Sequence, residues 1–131
     1  MESVFVELLK DFTKQLGIAD YPVDERGCEL ELDNGIVLSI VSEEEKKEIF
    51  LIAELGTIEE ELQSKYALMM LKANWLWAET NGFTFSLDSE SNIAVLQDKL
   101  SMENLSVQEL YNTVELLVQT ASYWKEQIQN Q

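Results

Sequence analysis

The chain has 131 residues, a size at which a domain buries about two-thirds of its unfolded surface, and 46% of them are hydrophobic, too many for a disordered tail. Its 25 acids against 9 bases give a net charge of -16, which argues against binding nucleic acid or an anionic membrane through phosphate neutralisation. With no histidine, a Ser/His/Asp triad, a Cys/His pair and histidine ligation of a metal are excluded.

Val4 or Phe5, Leu8, Leu9, Phe12 and Leu16 recur at three- and four-residue spacing, the apolar stripe of a first helix that ends at Gly17. Residues 18–27 contain the only proline, Pro22, and read as a connecting loop. From Cys28 the period becomes two: Cys28, Leu30 and Leu32 alternate with Glu29 and Glu31 before the hairpin turn Asp33-Asn34-Gly35. A two-residue turn would place Ile36, Leu38 and Ile40 beside Glu29 and Glu31. A three-residue turn with Gly35 left-handed pairs Leu32 with Ile36 and gathers the apolar residues on one face, so it is the expected register.

After the charged loop 42–47, residues 48–55 predict a third strand with Ile49, Phe50, Leu51 and Ile52 in succession, apolar on both faces. Val37 and Val41 make the second strand two-sided as well. One face covers helices; the apolar residues of the other mark a candidate binding surface. Residues 56–64 are acidic and lead into a helix predicted over 66–78, interrupted only by Lys72 and Asn74 and followed by Asn81-Gly82. Its apolar residues fall on almost every side, with Lys65, Lys72 and Glu79 as one thin polar line, so it needs cover on two sides. At roughly 20 Å it is too short to cross a bilayer, and the second cover is expected to be another protein chain. Trp75 and Trp77 would point about 160° apart on this helix, one toward the core and one toward a partner.

Phe83, Phe85 and Leu87 restore the alternation, and a polar turn over 88–92 leads to a fifth strand over 93–97. Ser106-Val107-Gln108-Glu109 has capping-box spacing, and the stripe Val107, Leu110, Val114, Leu117, Ala121, Trp124 and Ile128 predicts a long last helix. The fold class is therefore α+β, in the order α-β-β-β-α-β-β-α, an antiparallel sheet packed against helices in a single domain over 1–131.

Chemistry is sparse. The five glycines are scattered singly, so no phosphate loop exists, and Cys28, the only cysteine, reads as a small buried residue rather than a nucleophile. Residues 88–99 echo a calcium loop faintly, but Ile93 and Lys99 stand where glycine and glutamate are needed. No catalytic, cofactor-binding or metal-binding residue is assigned. A carboxylate-based enzyme and an acidic adaptor or inhibitor are the alternatives to a binding protein with a basic client. The single cysteine and an opening without signal-peptide character point to the cytoplasm.

Further features carry a resemblance: Leu71-Lys72-Ala73-Asn74 before an apolar helix end, Thr80-Asn81-Gly82 leading into Phe85-Ser86-Leu87-Asp88, then Ile93 to Leu96, Leu100, and a last helix closing on Tyr123-Trp124. With Leu51 to Leu55 and Gly56, these make the chain similar to the class I type III secretion chaperones of Gram-negative bacteria, the Tir-chaperone family, over most of its length. The resemblance implies a cytoplasmic, non-catalytic, ATP-independent homodimer around which the N-terminal segment of a secreted effector wraps in extended form, and leaves contact with the secretion ATPase open. Position by position it implies a dimer interface of Met69, Ala73, Leu76 and Trp77, and effector contacts at Phe5, Leu9, Val37, Val41, Phe50 and Ile52.

Overall fold

A computed structural model describes residues 3–32, 34–88 and 90–129, which leaves Asp33 of the first turn and Ser89 of the second outside the described residues. The elements are α1 (Val4–Gln15), β1 (Gly27–Glu31), β2 (Val37–Glu43), β3 (Glu48–Thr57), α2 (Gln63–Ala73), β4 (Thr84–Leu87), β5 (Ile93–Ser101) and α3 (Val107–Gln129). The expected order and class hold. Ser3 caps α1 by accepting the Val6 amide at 3.1 Å. At the other end Gly17, at φ 83°, allows the Ile18 amide to reach back to the Thr13 carbonyl at 2.9 Å.

The five strands form one antiparallel sheet in the order β1-β2-β3-β5-β4. The first hairpin has the expected three-residue register: the Leu32 amide donates to the Ile36 carbonyl at 2.9 Å, and Gly35 sits at φ 80°. Leu30, Leu38, Ile40, Ile49, Leu51, Ala53 and Leu96 consequently share the inner face, covered by Leu9 and Phe12 of α1 and by Leu110, Val114 and Leu117 of α3. The capping box forms as expected, with the Glu109 amide donating to Ser106 Oγ at 3.0 Å.

β2 and β3 each run two residues past their expected ends, to Glu43 and Thr57, and two elements differ by more. β5 runs on to Ser101 because its backbone stays paired with β3, Phe50 opposite Lys99 and Glu48 opposite Ser101, whatever the polarity of its side chains. The larger correction concerns the helix expected over 66–78. α2 ends at Ala73, and Leu76 and Trp77 adopt left-handed conformations at φ 55° and φ 57°. The cause lies across the chain: Asn74 Oδ1 accepts the Phe85 amide at 2.8 Å while Asn74 Nδ2 donates to the Phe85 carbonyl at 3.3 Å. One carboxamide thus ties the end of α2 to β4. Each left-handed non-glycine residue costs about 1–2 kcal/mol, similar to what such bonds return.

Candidate interaction surfaces

α2 is held to the domain by Tyr66, Met70 and Ala73, one stripe at helical spacing, with the Tyr66 hydroxyl donating to the Ile128 carbonyl of α3 at 2.9 Å. Leu68, Leu71 and Trp75 recur on the opposite side and are all exposed. The break after Asn74 then turns the next residues outward, leaving Trp75 75%, Leu76 69% and Trp77 52% exposed. Neither Trp75 nor Trp77 fills the core, which corrects the expectation of one tryptophan inside and one outside. That inner place belongs to Trp124, whose ring meets Phe85 edge-on at 5.2 Å and whose Nε1 donates to the Glu79 carbonyl at 3.2 Å.

Of the residues implied for a dimer, Leu76 and Trp77 are at the surface, Met69 is half-buried, and Ala73, 1% exposed, is enclosed within its own protomer. Leu68, Leu71 and Trp75, exposed beside them, are absent from that implied set. Splitting the apolar residues of α2 into two opposed stripes, one through Tyr66, Met70 and Ala73 and one through Leu68, Leu71 and Trp75, would have found them.

The second surface is the outer face of the sheet. Val37, Val41, Phe50 and Ile52 all stand on it, half-buried, with Val41 directly opposite Phe50. Phe50 and Ile52 join Thr84, Gln97, Asp98 and Lys99 around an open cleft of about 480 Å³. Phe5 and Leu9 are not brought together with these four. Both lie inside the core, Leu9 fully enclosed, because α1 turns its stripe toward the inner face. On and beside α1 the exposed apolar residues are instead Val4, Leu16 and Ile18, of which the last two, with Tyr21, Leu30, Leu32 and Val118, line a further groove.

The sequence profile of the Tir chaperone protein (CesT) family matches residues 7–125. The chain belongs to this family. No curated protein matches the sequence. Among solved structures, a chain of the ExsC–ExsE complex superposes with a TM-score of 0.80 at 18% identity, over 98% of this chain and 97% of that one. A chain of the HopA1–SchA chaperone–effector complex gives 0.73 at 24% identity, over 93% of each. The Yersinia pestis type III secretion chaperone SycH, in complex with a stable fragment of YscM2, provides another match, with 0.65 at 20% identity over 90% of this chain and 97% of that one. These likenesses show that the fold is shared.

Three titratable groups of this CesT-family protein depart from their ordinary values. Burial, followed by the charge of Asp24, pushes the Cys28 thiol up to about 11, so it stays protonated and poorly nucleophilic at neutral pH. Asp88 is held below its ordinary range by the Glu90 and Ser91 amides, as befits a turn residue. Partial burial raises Asp98, beside the outer cleft. Among the described residues no group of three His, Cys, Asp or Glu side chains is placed to hold a metal, and no helix is long and apolar enough to cross a membrane.

Proposed function

We propose that this protein is a cytoplasmic, ATP-independent and non-catalytic chaperone of type III secretion, in which residues 1–131 form one domain, two copies pair, and the pair keeps the N-terminal segment of a secreted effector extended and soluble. Membership of the Tir chaperone family over residues 7–125 carries this reading. Two apolar surfaces on a protomer that already possesses a full core support it.

The pairing seam falls on Leu68, Leu71, Trp75, Leu76 and Trp77, with Met69 at its margin and Ala73 holding α2 down from behind. Covering the surface these side chains still expose is the driving force for pairing, at roughly 25 cal/mol per Å² of apolar area, set against an association cost of about 4–15 kcal/mol. The client lies over Val37, Val41, Phe50 and Ile52, while Phe5 and Leu9 serve by packing α1 beneath the sheet.

Co-expression with each candidate effector encoded beside this gene tests the reading. An effector that becomes soluble and co-purifies through its N-terminal segment is the expected result. If every neighbouring product stays insoluble or unbound, the assignment fails. A basic protein captured only at low salt through residues 43–61 would point to an acidic adaptor instead.

A further inference from the structure

The two apolar surfaces differ in charge. From residue 62 to residue 78 there is no Asp or Glu, and Lys65 and Lys72 are the only charges, in a chain that carries 25 acids. Two copies, each of net charge -16, can approach there with the least repulsion. The outer sheet face has the opposite character. Along β3, Glu54, Ile52, Phe50 and Glu48 stand on it at two-residue steps: acid, apolar, apolar, acid. Glu43 is directly opposite Glu48, and like charges in that position are unfavourable unless a cation lies between them. The nearby Lys99 meets Glu48 at 3.3 Å from the β5 side, while Glu29 and Glu31 line the β1 side.

This arrangement has a complement. An extended segment laid along β3 repeats its same-side residues at the same rise, so a basic, apolar, apolar, basic order at alternate positions meets all four side chains. The flanking carboxylate positions are ~20 Å apart, the length of six extended residues. A second copy of this chain is a poor occupant, since its one acid-free stretch, residues 62–78, is taken up in pairing and the rest of its surface is acidic like the face.

We propose that the outer face of β2, β3 and β5 is a docking site for an extended basic segment of another protein, reading Lys/Arg-x-apolar-x-apolar-x-Lys/Arg, whose apolar side chains cover Phe50 and Ile52 and whose cations reach Glu54 at one end and the Glu43–Glu48 pair at the other. The assignment rests on the chaperone reading and adds the chemistry and register of the client. It also makes client binding salt-sensitive and pairing comparatively salt-tolerant, because only one of the two surfaces is acidic.

The probe is the fluorescein-labelled heptapeptide Lys-Ser-Val-Ser-Val-Ser-Lys, titrated with the full-length protein and read by anisotropy. Its comparators are the same peptide with both lysines changed to glutamate and one with the second lysine moved two positions inward. Binding of the first should exceed either comparator by about tenfold and weaken as salt rises from about 50 to about 300 mM. Glu54→Gln should reduce it roughly threefold and Phe50→Ser roughly tenfold, with the circular dichroism spectrum unchanged. Absence of binding, equal binding of the glutamate peptide, or indifference to Glu54→Gln, a variant with no core contact to lose, overturns the proposal. The two readings fail separately. An effector that co-purifies equally well with the Glu54→Gln and Phe50→Ser proteins removes this site and leaves the chaperone, whereas peptide binding without any co-purifying effector removes the chaperone and leaves the site.

Discussion

The end of α2 and the outer face of the sheet both expose apolar side chains, yet they arise differently. On the sheet, exposure follows from period two: every second residue of β2 and β3 faces away from the helices, so Val37, Val41, Phe50 and Ile52 are outward by register. At the end of α2, exposure follows from a break. Asn74 binds Phe85, the helix stops, and Leu76 and Trp77 are turned out beside Trp75. The first surface is flat, acid-edged and set by strand pairing. The second is a protruding, acid-free knob set by the Asn74 carboxamide and by Trp77 Nε1, which donates to Thr84 Oγ1 of β4 at 3.1 Å.

Separating the two surfaces by mutation gives a graded set of effects. The largest is expected from Leu76→Glu, which puts an unpaired charge into the seam and should abolish pairing, read as a halved mass by sedimentation equilibrium. A soluble dimer of unchanged affinity would move the seam elsewhere. Cys28 reports on the inner side of β1, next to the acids of its edge. With its thiol raised from 9.0 to about 11, its reaction with a disulfide reagent at pH 8 should be roughly tenfold slower in the folded than in the urea-unfolded protein, the smaller thiolate fraction being partly offset by the higher nucleophilicity of a more basic thiolate. Equal rates would mean that β1 is not held against its neighbours.

Asn74→Ala sharpens the contrast at intermediate size. It removes both bonds to Phe85 and leaves its backbone groups without that partner, costing about 1–3 kcal/mol and several degrees of melting temperature. Dimer affinity should fall as well, since the knob loses its anchor, while heptapeptide binding should hardly change. The smallest effect belongs to Asp98→Asn. Because partial burial holds the folded carboxyl above its ordinary range, the stability linked to its proton is full at pH values below that range and lost as pH rises through it. The variant should therefore be slightly more stable than the parent near neutral pH, and this gain should vanish in acid. A gain that grew in acid would contradict the raised carboxyl.

The hairpin register was readable because one turn choice alone kept Leu30, Leu32, Ile36, Leu38 and Ile40 together. The two-sided apolar sheet was readable for the same reason. The break in α2 was not, since Ala, Leu, Met and Trp carry no stop signal and the partner of Asn74 is eleven residues away on another element. Nor could the stripe of α1 reveal that Phe5 and Leu9 are core residues, because an apolar stripe calls for cover without naming what provides it. The added length of β5 came from the backbone of β3, outside any pattern in residues 98–101.

Asn74 has one more effect, on the edge of the sheet. β4 is an end strand, and the outward amide and carbonyl of Phe85 are where a further strand would begin to add. At the opposite end Gly27 is occupied by Asp24, and the Glu29 carbonyl by the Tyr21 hydroxyl. Plugged in this way at both margins, the sheet presents a poor template for runaway fibril growth.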